Sequence, residues 1–250
     1  LYEFIHSGDE SKRAYGNKTI RDEIMRAEMD RATGDYNEFW AGRDYLNDMA
    51  PMKAALLMSH GFNDWNVMPE HSYRIYIKAR EMGLPVQIYY HQGGHGGPPP
   101  VSMMNRWFTR YLFEIENGVE QDPKAWIVRE GDNRLSPTPY PDYPHPQAED
   151  VVLHLTKGGS TQGGLTNNKS SRKKEMLIDD VSLAGEYLAR VKNSPHRLLY
   201  TTPLLSENVH ISGAASITLS LSSSAPAVNL SVWLVSLPRN DEDDDKIYDN

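Results

Sequence analysis

Cysteine is absent from all 250 residues. The chain therefore has no disulfide framework, no thiolate zinc site and no cysteine nucleophile, although this alone does not fix the compartment. Nor does any apolar run approach the ~20 residues that a membrane-spanning helix needs, so no membrane partner is expected. An excess of positive charge is missing too: 26 Lys and Arg stand against 34 Asp and Glu, a net charge of −8. Phosphate backbones are gripped by net basic faces, so this balance argues against a nucleic-acid partner. What remains is 39% hydrophobic and 10% aromatic, enough for a sizeable core in one large domain or two ordinary ones.

The pattern changes along the chain. Residues 1–50 are polar and helix-prone, with Ile20, Ile24 and Ala27 as one apolar stripe and Tyr36, Phe39, Trp40 and Tyr45 as an aromatic anchor. They read as a helical cap remnant and lead-in. Residues 51–130 read as α/β. Ala54–Met58 is a short apolar run of the kind buried on both faces of a parallel sheet, and Val86–Tyr90 reads as a second strand. Between them Pro69 opens a helix that Gly83 closes. A further helix carries Met104, Trp107, Phe108, Tyr111, Leu112 and Ile115 at helical spacing. Residues 131–148 are Pro-rich and predict a stiff connector rather than a packed element. From 149 to 250 the period falls to two, as in Ile217, Leu219, Leu221 and again in Val228, Leu230, Val232, Leu234. That pattern predicts a β-sandwich or jelly roll, with the Gly- and Ser-rich stretch 158–174 as a mobile loop and the acidic run Asp241–Asp245 as a solvated loop.

In open parallel sheets the loops after the strands build the site. Asp64 follows the first strand and His95 the second, each among glycines. An acid and then a histidine on consecutive loops is the order in which α/β-hydrolases supply the last two members of a Ser–Asp–His triad. The histidine relays the serine proton while the carboxylate orients the imidazole and stabilises its cation. Each residue also has a plainer reading, as an Asx turn or a solvated loop side chain. Trp65 adjoins the acid and fits either a substrate wall or packing. His91 and His95 mimic a helical metal pair, but Gly93 and Gly94 between them make a helix unfavourable, and no metal is expected.

Three stretches carry a resemblance: Leu57–Val67 (LMSHGFNDWNV), His91–His95 (HQGGH) and Phe39–Leu46 (FWAGRDYL). Together with the Pro-rich segment and the β-rich end, they resemble the Xaa-Pro dipeptidyl-peptidase family and its relatives, the cocaine-esterase-like hydrolases. The G-x-N-D-W-N-V turn is similar to the peptidases, whereas the esterases more often show a G-[WY]-x-D turn. The resemblance implies an α/β-hydrolase domain followed by a non-catalytic jelly roll, with Asp64 as triad acid and His95 as triad base. It implies a peptide substrate with proline at its second position, no cofactor and a cytoplasmic setting, and it leaves homo-oligomerisation open.

One departure is plain. No serine here has glycine at both −2 and +2, as the nucleophile elbow of that fold requires. The chain also opens on Leu1 without a signal-like segment. Both features lead to the expectation that the nucleophile and oxyanion hole lie upstream in a longer protein, and that this chain alone is inactive. Two rival readings stand beside this one: an acyl esterase or amidase using the same residues, and a β-sandwich binding module with the α/β part as scaffold.

Overall fold

A computed structural model describes residues 6–169, 174–226 and 228–237. The acidic run 241–245 lies outside them. Two compact units emerge. One runs through Pro139 and takes up Ala214–Leu234, and the other is built on Tyr140–Gly213.

The first unit is organised by a sheet in the order β1-β2-β3-β4, with β1 at Leu56–Gly61, β2 at Val86–His91, β3 at Ala125–Ile127 and β4 at Thr138–Tyr140. β2 lies between two parallel neighbours. Leu56 pairs with Val86 and Gly61 with His91 on one side, and Ile88 pairs with Ala125 on the other. All six β2 residues are buried, including Gln87 and His91. This central place buries both faces of β2 although it carries Gln87 and His91. The apolar run Ala54–Met58, expected to be buried on both faces, falls largely in β1 at the edge of the described sheet, where residues 56–60 are only half-buried.

Helix α1 (Pro69–Glu81) connects β1 to β2. Pro69 is at its first position, where the missing N–H costs nothing. Gly83, at φ 71°, ends it: its N–H donates to Arg80 O, and that of Leu84 donates to Ala79 O. This closes the helix end on a left-handed residue that glycine adopts without strain. Ser72, Tyr76 and Ala79 form the buried face. Ser72 Oγ lies 2.8 Å from Pro69 O and 3.1 Å from Tyr90 Oη, so the polar group is satisfied inside the core.

Several sequence expectations give way here. Helix α2 (Val101–Tyr111) stops before Leu112 and Ile115. Of the expected stripe only Trp107 is fully buried, while Phe108, Leu112 and Ile115 are exposed. Glu114 at φ 57° turns the chain away from the helical path. Near the start of the chain, helical turns cover Glu10–Ala14, Tyr15–Met25 and Arg26–Glu28, the middle stretch in π geometry. The wider i→i+5 turn breaks the i, i+4 register, and Ile24 and Ala27 stay exposed. Within the aromatic anchor, the Trp40 indole N–H donates to Met29 O at 3.2 Å and its ring meets Phe39 edge-on, while the Tyr36 hydroxyl donates to Asp44 Oδ2 at 3.3 Å. Residues 217–221 and 228–234 carry no strand among the described residues, and their alternating apolar side chains are exposed. An alternating segment becomes a stable strand only when its backbone pairs and one face is covered.

The second unit contains β5 (His154–Leu155), β6 (Gly163–Thr166), α3 (Gly185–Arg190) and β7 (Tyr200–Thr201), with β6 paired antiparallel to β5 and parallel to β7. The Pro-rich segment is packed rather than free. Tyr140 and Tyr143 are buried, the Tyr143 hydroxyl donates to Gly213 O, and His145 N–H donates to Ser212 Oγ. β6 falls inside the stretch expected as a mobile loop. Its glycines serve close approach, since a Cβ on Gly163 would sit 2.6 Å from the Tyr200 ring and 2.8 Å from Thr156 O. Glu175 completes the arrangement, accepting from the amides of Gly158 and Gly159 and from the Tyr200 hydroxyl.

Candidate active site

β1 and β2 are parallel neighbours, so their carboxyl ends emerge side by side and their following loops must meet. Gly61 makes this possible. A Cβ there would lie 2.1 Å from Gly93 O and 2.4 Å from Gly94 O, closer than any side chain can be accommodated. With no side chain in the way, the two loops are stitched by backbone and amide contacts. Phe62 N–H donates to His91 O at 2.7 Å, Asn63 N–H to Gly93 O at 3.2 Å, and Asn63 Nδ2 to Gln92 O at 2.6 Å. The Phe62 ring stacks on Tyr90 at 4.7 Å.

On this frame Asp64 and His95 come together. His95 Nδ1 lies 3.0 Å from Asp64 Oδ2. The other oxygen, Oδ1, accepts from the N–H groups of Asn66 and Val67, both at 2.9 Å. Asp64 is 5% exposed, while the His95 side chain is 61% exposed. Burial works against the charge on Asp64. The Val67 amide, the His95 ring and the Asn66 amide outweigh it and hold the carboxyl below its ordinary range. Asp64 is thus an anion at neutral pH. It accepts the Nδ1–H of His95 and leaves Nε2, the second ring nitrogen, on an open face. Such an imidazole can take a proton from an approaching hydroxyl, and the resulting cation is stabilised by the buried carboxylate.

Two further histidines lie nearby, and only one of them joins the acid. His60, four residues before Asp64, brings its Nε2 to 3.2 Å from Asp64 Oδ2 and 2.8 Å from Val67 O. His60 is absent from the site residues expected from sequence, since its spacing to Asp64 outside a helix carries no signal of contact. His91 is buried at the end of β2, and its Nδ1 accepts from Gly93 N–H at 3.0 Å. Burial, then the Arg134 charge, pushes its pKa down to about 4, so it is neutral and structural near pH 7. Ser59 donates its hydroxyl to Gly97 O, and nothing in its surroundings suggests a nucleophile elbow. Trp65, beside the acid, is 42% exposed and meets Trp233 edge-on, ring centroids 4.3 Å apart.

Comparison with known proteins decides the family. Residues 117–246 match the model of the X-Pro dipeptidyl-peptidase C-terminal non-catalytic domain, and residues 3–97 match that of X-Pro dipeptidyl-peptidase of the S15 family. The chain belongs to the X-Pro dipeptidyl-peptidase family. A "Putative Xaa-Pro dipeptidyl-peptidase" of Rhodopirellula baltica is 58% identical over 252 residues, covering 100% of this chain and 40% of that protein. A protein of the same name from Bacillus anthracis is 30% identical over 84% of this chain and 36% of its own length. The "Xaa-Pro dipeptidyl-peptidase" of Lactobacillus delbrueckii subsp. lactis is 36% identical over 47% of this chain and 15% of its own length. The chain thus spans 40% or less of these curated relatives. Among the described residues, no helix is long and apolar enough to cross a membrane.

Proposed function

We propose that this chain carries the acid and base of a serine peptidase that releases N-terminal Xaa-Pro dipeptides. The observation that carries the reading is the 3.0 Å contact between His95 Nδ1 and the buried Asp64 carboxylate, on consecutive strand-to-loop turns of a chain from this family. The nucleophile is a serine upstream of these residues in the longer protein. As its Oγ attacks the proline carbonyl carbon, its proton passes to His95 Nε2, and Asp64 stabilises the imidazolium. His95 then protonates the departing amine, the C–N bond breaks, and the dipeptide remains as an acyl ester on the serine. Water, deprotonated by the same nitrogen, attacks that ester and frees the dipeptide and the serine. Trp65 lines the approach to the acid–base pair, supported by its half-exposed ring beside Asp64. In this reading residues 51–130 belong to an α/β-hydrolase body, 131–148 link it, and 149–250 belong to a jelly roll in which the alternating segments 217–221 and 228–234 gain strand partners in the intact protein.

The test is hydrolysis of Ala-Pro-p-nitroanilide by the full-length protein, with the N-acetylated substrate and p-nitrophenyl acetate alongside. Release from the free dipeptide substrate, lost on acetylation, is expected. Cleavage of the ester alone would move the protein to the acyl-esterase branch, and no turnover of any of the three would contradict an enzymatic reading.

A further inference from the structure

The acid that orients His95 is itself braced from behind. Val67 is the pivot of this brace: its N–H donates to Asp64 Oδ1 at 2.9 Å, and its C=O accepts from His60 Nε2 at 2.8 Å. His60 therefore closes a chain of contacts that runs from β1 through the Val67 peptide to Asp64 and on to His95. Because Val67 O can only accept, the proton of His60 is on Nε2. The same nitrogen stands 3.2 Å from Asp64 Oδ2, the oxygen that receives His95. Only 10% of the His60 side chain is exposed, with its Nε2 enclosed between two acceptors, so it cannot replace His95 as the base. Its backbone is fixed as well, paired with Tyr90 in the sheet register, one residue before the close approach at Gly61.

We infer that His60 is a positioning residue: by holding the Val67 peptide and facing Oδ2, it fixes the plane of the Asp64 carboxylate so that it points at His95 Nδ1. The inference rests on the assignment of Asp64 and His95 as acid and base. A ring whose N–H holds the Val67 carbonyl while its nitrogen stands against the carboxylate does more than fill space. Orientation errors of this size act on the chemical step more than on substrate binding, and a displacement of ~1 Å can cost about 100-fold.

The experiment compares His60→Gln with His60→Asn in the full-length enzyme. Both substitutions are polar and non-titrating, but only glutamine is long enough to carry an amide N–H to where Nε2 stands. His60→Asn is expected to lower kcat about 10- to 100-fold with KM within about twofold, and His60→Gln to recover most of that loss. Equal, near-unchanged kcat in both variants would overturn the inference. So would a rise in KM at constant kcat, or a loss of activity that simply tracks the folded fraction measured by circular dichroism. His95→Ala and Asp64→Asn belong in the same series. If these leave activity within about tenfold, the acid–base assignment itself fails. If they abolish activity while the His60 pair stays flat, only the role of His60 fails.

Discussion

Gly61 and Gly93 approach so closely that a methyl group on Gly61 would lie 2.1 Å from the Gly93 carbonyl oxygen. The contact is between two backbones, so no side-chain rotation can relieve it. Gly61 ends β1 and Gly93 follows β2, and these are the two turns that deliver Asp64 and His95. The distance between acid and base therefore depends on a position that carries no chemistry of its own.

Gly61→Ala in the full-length protein is expected to push the two loops apart and lengthen the Asp64–His95 contact. The cost should fall on kcat, by about 100-fold or more, as for a misplacement of ~1 Å. Steady-state kinetics check this, with thermal unfolding as the control for folding. Wild-type kcat in a folded Gly61→Ala protein would show that the loops have slack that the structure does not display.

His91 supplies a pH dependence of stability. Its folded pKa is depressed from 6.5 to about 4 by burial and by Arg134. Between those values the unfolded chain binds a proton that the folded chain excludes, so stability is full above about pH 6.5 and falls as pH drops toward 4. Urea midpoints measured across that window should decline with acidity. His91→Asn keeps an acceptor for the Gly93 amide without a titrating ring, so it should flatten this part of the slope whatever its effect on absolute stability.

Glu175 gives a prediction in the second unit. Its two oxygens take three donors, the amides of Gly158 and Gly159 on Oε1 and the Tyr200 hydroxyl on Oε2. Glu175→Gln replaces one acceptor oxygen by a donor and should destabilise that unit by about 1 kcal/mol. Activity should be unchanged. Chemical denaturation and kinetics on the same sample separate the two effects.

Much of this architecture was legible in residues 53–95. The apolar run Ala54–Met58 marked a strand but not its place, since β1 lies half-buried at the sheet edge, while the fully buried β2 includes Gln87 and His91 and so shows no unbroken apolar run. Pro69 and Gly83 marked the helix between the strands, because one lacks an N–H and the other tolerates positive φ. Asp64 and His95 stood out as the titratable residues of two glycine-rich turns. His60 did not, because its role depends on where the Val67 carbonyl points, which no spacing rule encodes. The glycines near 159–163 suggested mobility, yet they pack against Tyr200, since composition cannot distinguish a free glycine from a crowded one. Residues 217–234 read as strands, but a period of two states only which residues would share a face. It does not supply the neighbour that a strand must pair with.

Variants of His95 and Asp64 in the full-length protein, assayed for release of Ala-Pro from its p-nitroanilide, test the acid–base pair most directly. His95→Ala is expected to lower kcat by several orders of magnitude with KM little changed, as loss of a triad member does. Asp64→Asn is expected to come close to it, since an amide that offers its N–H in place of an oxygen favours the wrong tautomer of the ring. Activity within about tenfold of wild type in either variant would contradict the acid–base assignment.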